Sequence, residues 1–277
     1  MPRFTWVFGA LVALSIATAC GAQPPSVPSE PAKPDPAQPA KSDKVLTADQ
    51  KLDACAKMYA AAKTYRDEGA VHTELAVPGQ PNNVSDKPFS TVFERNGRFL
   101  WEFRASAIPG HKPDQQFVVW SADQKKFHTY WDLGPQRTDQ SSFDGAMAGP
   151  TGVSGGSATV VIPLLRPEMR WGVRTTRMTD AVEKGTEILD GTACTVIEGK
   201  LPGATISKLW LDDKLAIRKV FEEKEIDPAK LGGGGNMPAI PKFTSKTTIT
   251  LKPVIDEKID DAKFNPPAVA AKAKPQE

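Results

Sequence analysis

Gly152-Val153-Ser154-Gly155-Gly156 matches the nucleophile motif G-x-S-x-G letter for letter. That motif does chemistry only when a strand delivers the Ser, a helix follows it, and a His later in the chain takes the hydroxyl proton. No strand pattern runs up to Ser154, and the three His (His72, His111 and His128) all precede it. Those His are far apart, with no i, i+4 pair that would present two imidazoles to a metal from one helix face. The sequence contains neither Ser-x-x-Lys with its partner motifs nor the Gly-Lys-Ser/Thr of a P-loop. Carboxylates are common, but nothing singles out an acid–base pair. The sequence therefore predicts no catalytic residue, no metal site and no cofactor, and the Gly residues around Ser154 read as turns or hinges. The expected class is a binding protein and not an enzyme.

Cysteine is the other residue type with chemistry to offer, and it occurs at positions 20, 55 and 194. Residues 1–19, MPRFTWVFGALVALSIATA, carry one positive charge at Arg3, then an uncharged apolar run, then small residues. That is the layout of a secretory signal peptide. Ala17-Thr18-Ala19 directly precedes Cys20 and resembles the lipobox of bacterial lipoproteins, in which the Cys is acylated and becomes the mature N-terminus. Two or three acyl chains, at ~0.8 kcal/mol per buried CH₂, hold a protein on a membrane without a spanning helix. Gly21 after the Cys, in place of Asp, resembles the outer-membrane sorting preference of enteric bacteria. The expected location is the bacterial envelope, facing the periplasm, on the outer membrane in preference to the inner. Setting Cys20 aside leaves Cys55 and Cys194 in an oxidising compartment, at a spacing that fits neither Cys-x-x-Cys chemistry nor zinc. A structural disulfide is the simple expectation; the alternative is two buried thiols that never meet.

Next come the elements that must position whatever the protein binds. Thirty-five Lys and Arg against 33 Asp and Glu leave a formal net charge of +2 in 277 residues, so no long-range field favours nucleic acid. Seven of the 25 prolines fall between Pro24 and Pro39, which marks 20–47 as a disordered Pro/Ala-rich tether. Thr47-x-x-Gln50 is a capping-box signature, and Leu52, Cys55, Tyr59 and Ala62 share one helical face, so a helix is expected over 48–66 with Gly69 as its C-cap. From Val71 the period changes to two. Strands are expected at 71–77, 89–95, 99–103, 117–121, 127–131, 183–189, 194–200, 207–211, 217–225 and 244–251, with Asn96-Gly97 turning a hairpin. Short connections make these antiparallel neighbours. Residues 139–167 break the rhythm and read as short helices packed on or across the sheet; 232–235 reads as a flexible loop or a disordered insertion, and 269–277 as a disordered tail.

The run Phe93-Glu94-Arg95-Asn96-Gly97-Arg98-Phe99-Leu100-Trp101-Glu102-Phe103 resembles the second and third strands of the LolA/LolB-type periplasmic lipoprotein-carrier family, whose hairpin Arg is followed by Phe-x-Trp. Three later motifs agree in order. They are Ser121-Ala122-Asp123 ahead of Lys126-Phe127-His128-Thr129-Tyr130, then Leu209-Trp210-Leu211-Asp212, and finally Asp261-Ala262-Lys263-Phe264-Asn265-Pro266-Pro267. The family's Pro after the hairpin Arg is here Asn96, and Cys20 makes this chain tethered, as the LolB-type acceptor is. The resemblance implies a mainly β (α+β) domain over 48–268: an incomplete, strongly curved antiparallel half-barrel of about eleven strands, with an N-terminal helix and lid helices over an apolar cavity. It also implies that Arg95 hydrogen-bonds the lid.

Within that frame Phe93, Phe99, Trp101, Phe103, Val119, Trp120, Phe127 and Trp131 are the candidate cavity lining, and the partners expected are lipid or lipoprotein acyl chains, palmitate among them. A C16 chain gains about 10 kcal/mol gross on burial, before ordering costs. The leading expectation is a membrane-anchored lipid or lipoprotein carrier, acceptor or sensor. The alternative is an envelope scaffold whose curved sheet docks a protein partner.

Overall fold

The computed structural model describes residues 46–275 apart from 96, 106–114, 170–174 and 229–240. The 1–19 leader, Cys20, nearly all of the tether, His111 and the glycine run 232–235 lie outside the described residues.

Helix α1 (Ala48–Ala61) starts at the expected capping box: the Thr47 N–H donates to Gln50 Oε1 at 3.0 Å, and the Gln50 N–H donates to Thr47 Oγ1 at 3.3 Å. It stops five residues before Arg66, the expected end. Strand β1 (Thr64–Ala76) begins almost at once, because Tyr65 and Asp67 face the interior only from an extended chain paired to β2 (Asn83–Glu94). Gly69 therefore is not a C-cap. It sits mid-strand, where an added Cβ would lie 2.4 Å from both the Phe89 ring and the Thr250 carbonyl, so the bare backbone makes room for a cross-strand aromatic.

The chain continues through β3 (Phe99–Ala105), β4 (Gln115–Ser121), β5 (Phe127–Trp131) and β6 (Gly134–Gln140). It then forms three short helices: α2 (Phe143–Val153), α3 (Ser157–Val160) and α4 (Ile162–Leu165). A second run of strands follows, comprising β7 (Thr179–Leu189), β8 (Thr192–Lys200), β9 (Ile206–Leu211), β10 (Ile217–Ile226), β11 (Phe243–Leu251) and the two-residue β12 (Val254–Ile255). All pair antiparallel in the order β6-β5-β4-β3-β2-β1-β11-β10-β9-β8-β7, with β12 added beside β1. The twelve described strands form one open sheet, not a closed barrel, as the expected half-barrel requires. Strand β6 (GPQRTDQ) has no large apolar side chain to alternate and β12 is only two residues long, which is why the sequence pattern passes over them.

β6 and β7 are the two opposite edges of the sheet, so the segment 141–178 must cross its width. It crosses one face, and that crossing is α2–α4. On this inner face the odd-numbered residues of β1–β5 point toward the helices, and one continuous core runs from Phe127 on β5 through Phe99, Trp101, Phe93 and Val71 to Ile249, Val220, Leu209 and Ile197. The α1 face of Leu52, Cys55 and Tyr59 joins the same core. On the outer face, two smaller clusters cover opposite ends of the sheet.

Two expectations are corrected here. Residues 269–275 are not a free tail: α5 (Ala268–Lys272) buries Ala270 in the outer cluster of Val92, Leu100, Val118, Tyr130 and Phe264. The chain then pairs with edge strand β6, where the Arg137 N–H donates to the Lys274 carbonyl at 2.8 Å and Arg137 bridges Pro275. An alanine-rich end has little to bury alone, but here it covers apolar outer-face side chains and a strand edge. Second, Cys55 and Cys194 are both free and buried. Cys55 faces the inner core, whereas Cys194 lies with Val196 and Trp210 on the outer face, across the sheet from Ile197. Strand parity sets them on opposite sides of a layer that no S–S bond spans.

Candidate ligand-binding site

Parity also sorts the candidate lining. Phe93, Phe99, Trp101, Phe103, Val119 and Phe127 all belong to the inner core, and Trp131 packs at its margin. Trp101 and Phe103 stack with centroids 5.9 Å apart, Phe117 lies 6.4 Å from Trp101, and Trp131 lies 5.4 Å from Phe117, giving a continuous aromatic wall. Trp120 is the exception. Standing between Val119 and Ser121 on β4, it points outward beside His128, at 5.1 Å, and packs on the outer cluster. Neighbouring residues of one strand cannot both line one face.

The wall is not an empty cavity. Phe143 of α2 packs edge-on against Phe99 at 5.1 Å and Phe127 at 5.3 Å, and Met147, Val160, Ile162, Leu164 and Leu165 complete the cover, so that Trp101 is 0% exposed. The cover is intrinsically weak as helix. The α2 sequence FDGAMAGPTGV holds three Gly and an internal Pro, which disfavour a helix by about 1 kcal/mol for each Gly and about 3 for the Pro relative to Ala. α3 and α4 are single turns of four residues each. Between α2 and α3 the chain reverses at Gly155 and Gly156, with φ of 62° and 103°. Added Cβ atoms there would meet Val71 at 3.0 Å and Ile249 at 3.2 Å. The G-x-S-x-G match is thus the hinge of this cover. Ser154 caps the end of α2, fully buried, and its hydroxyl accepts from the Ala158 N–H at 3.3 Å, so it is an element of the turn.

Arg95 binds the cover to the sheet. From the end of β2 its Nε donates to the Ala62 carbonyl at 2.7 Å, Nη2 to Tyr59 at 3.1 Å and Nη1 to Leu165 at 3.1 Å, joining the C-termini of α1 and α4. All three acceptors are neutral carbonyls at the negative ends of helices. Burial lowers the Arg95 pKa from the usual guanidinium value; the Glu168 carboxylate opposes the shift and the nearby Arg166 charge adds to it. Beside Arg95 lies a pocket of about 420 Å³, lined also by Phe93 of the inner core and by Asp123, Gln124, Lys125, Arg166 and Glu168.

Two sets of buried polar groups share the inner face. Trp101 Nε1, Trp131 Nε1 and the Gln115 amide are buried with no hydrogen-bond partner among the described residues. Asp67 accepts from the Tyr65 hydroxyl at 2.8 Å; burial pushes its carboxyl up to about 6, against the lowering effect of the Tyr65 and Thr91 hydrogen bonds. His72 and His128 are hydrogen-bonded on the sheet, to Asp86 and Glu74 and to Asp139 respectively. Among the described residues no group of three or more His, Cys, Asp or Glu could hold a metal.

The outer face carries a larger, open groove of about 1580 Å³ across β3, β2, β1, β11 and β10, walled at one end by the β7–β8 hairpin. Glu68, Ser90, Glu102, Arg104, Lys219 and Thr250 line it, and Ile188 at the hairpin is 67% exposed.

No family model and no curated protein matches the chain. Solved structures do. A LolA superfamily protein from Nitrosomonas europaea is 11% identical, with 80% of this chain and 99% of that one covered and a TM-score of 0.29. LprF from Mycobacterium bovis is 13% identical, covering 80% and 97%, at 0.39. The Pseudomonas aeruginosa MucA/MucB complex is 12% identical, covering 80% and 62%, at 0.40. At these identities and TM-scores the similarity says nothing of family, ligand or activity.

Neither Arg166 nor Gln124 stands out in the sequence as a site residue. Their only signal is position, Arg166 closing the apolar run Ile162–Leu165 and Gln124 lying in the β4–β5 turn.

Proposed function

We propose that this is a lipid-anchored envelope protein, tethered through Cys20, that binds an acyl chain or similar amphiphile between the aromatic wall and the α2–α4 cover. The observation that carries the reading is the pairing of a continuous aromatic wall with a cover of weak, glycine-hinged helices. Displacing such a cover exposes a surface that an alkyl chain can take over at little net cost, because apolar contact replaces apolar contact. The unpartnered indole N–H groups of Trp101 and Trp131 and the Gln115 amide support it, since buried polar groups are almost always paired and these would find partners in water that enters beside a bound chain. Among the described residues no helix is long and apolar enough to cross a membrane; the attachment proposed is the acyl anchor at Cys20.

Mass spectrometry of the native protein from cells tests both halves: acyl mass on Cys20, and co-purified lipid. Absence of extractable lipid, together with failure of the delipidated protein to bind a fluorescent fatty acid at micromolar concentration, removes the reading.

The open outer groove and exposed Ile188 favour a second reading, a protein partner docked on the face away from the helices. Ser90→Arg would then block partner capture and leave amphiphile binding unchanged. Loss of amphiphile binding with capture intact excludes it.

A further inference from the structure

The pocket at the end of β2 borders Phe93, a member of the inner core that continues through Phe99 and Trp101, and its walls are charged. Its floor is the buried Phe93, and its sides carry three cations, Arg95, Lys125 and Arg166, against two carboxylates, Asp123 and Glu168. Both carboxylates are already engaged. Asp123 accepts the Lys125 N–H at 2.9 Å and the Lys126 N–H at 3.4 Å within its own turn, and Glu168 pairs with Arg166 Nε. The cations are less fully matched. Among the described residues Arg95 donates only to neutral carbonyls, Lys125 has no ion pair, and Arg166 places Nη1 on the Gln124 amide oxygen. Arg166 also lies over the Phe143 ring at 4.6 Å and Arg95 over Phe93 at 5.2 Å, so both guanidinium groups border the apolar surface directly. A site with spare fork-shaped donors above an aromatic floor suits a planar or tetrahedral oxyanion attached to an alkyl chain.

We propose that this pocket holds the anionic headgroup, a carboxylate or phosphate monoester, of the amphiphile whose chain lies on the wall. This rests on the reading of the wall as an acyl-binding surface. Arg166 and Lys125 contact the oxyanion, and Arg95, committed to the helix ends, contributes charge. The protein then discriminates by headgroup: neutral amphiphiles of the same chain length bind the wall but leave the pocket's cations unanswered.

The test is equilibrium binding to the full chain carrying Cys20→Ser, with palmitate, hexadecyl phosphate, hexadecanol, acetate and inorganic phosphate as probes, on wild type and on R166Q and K125Q. Expected is binding of palmitate and hexadecyl phosphate about tenfold or more tighter than hexadecanol, as charge-assisted hydrogen bonds would supply. Each substitution should cut that preference at least threefold while leaving hexadecanol unchanged, and raising the salt concentration should shrink it. K125Q, at an exposed side chain, keeps the test alive should R166Q loosen the cover. Hexadecanol binding as tightly as palmitate, or both falling equally in the variants, overturns the headgroup site and leaves the wall reading standing. Acetate or inorganic phosphate binding as tightly as the long-chain anions makes this a free-anion site and overturns it too. Failure of every long-chain probe, hexadecanol included, removes the wall reading and this inference with it.

Discussion

Arg95→Ala removes three hydrogen bonds from a single guanidinium and uncaps two helix C-termini at once. Hydrogen bonds to a charged group contribute about 1.5–3 kcal/mol each. The side chain is part-buried, so the low end applies, and water entering the vacated site recovers a share; the net cost should be about 3 kcal/mol. For a domain of this size that lowers Tm by about 6–12 °C. The loss should also be local, because the three carbonyls belong to Tyr59, Ala62 and Leu165. Amide hydrogen exchange, read alongside thermal unfolding, should therefore quicken over 58–62 and 162–166 while β9–β11 keep their protection. Arg95→Lys retains the charge but cannot span three acceptors, and should fall between wild type and Ala. A Tm drop below about 2 °C, or faster exchange spread evenly over the sheet, would show that Arg95 does not hold the cover.

Asp67 gives a pH signature. Its folded pKa, about 6, lies above the ordinary 3.8, so the folded state keeps the proton that the unfolded state loses. This contribution is fully present below about pH 4 and is lost as pH rises through 6, about 2–3 kcal/mol in all. Asp67→Asn should flatten the stability profile between pH 4 and 6, and Tyr65→Phe, by deleting a hydrogen bond to the carboxylate, should move the titration above 6; an unchanged profile in both counts against a buried, proton-binding Asp67. Asp139 acts with the opposite sign and lower down, since its pairing with Lys126 and His128 lowers its pKa to about 2. For the cysteines, a Cys20→Ser chain denatured without reductant should take up two maleimides, whereas uptake only after reduction would restore the disulfide; in the native state Cys55, whose thiol burial pushes up to about 12, should stay unlabelled. Gly156→Ala forces a side chain into a left-handed backbone 3.2 Å from Ile249 and should cost about 1–2 kcal/mol in urea unfolding, loosening the cover; a neutral result would mean the hinge relaxes freely.

What could be read in advance was whatever a single segment encodes. The β-branched and aromatic runs at 89–95, 99–103 and 117–121 find β2, β3 and β4, even though the outer cluster buries the second face of β4 as well. The Gly-rich break at 139–167 locates the cover, because no sheet period survives there. The candidate lining follows aromatic type on the expected strands; the structure places Phe93, Phe99, Trp101, Phe103 and Phe127 on the inner face and Trp120 on the outer one, because neighbouring residues of a strand point to opposite faces. The pocket of Arg95, Lys125, Gln124 and Arg166 could not be read at all: it joins the β2 end, the β4–β5 turn and the end of α4, which no local pattern relates.

The sequence by itself determined the start of α1, most of the strands and the hairpin connectivity, because hydrophobic period, capping residues and turn residues act over a few positions. Only the tertiary structure decided three further matters. It put Cys55 and Cys194 on opposite faces, since that depends on the absolute phase of a strand against a helix far away in the chain. It docked the alanine-rich C-terminus on the sheet, since the apolar patch it covers comes from four other strands. And it filled the half-barrel with its own α2–α4, because the chain must pass from edge strand β6 to edge strand β7 and the inner face is the route it takes.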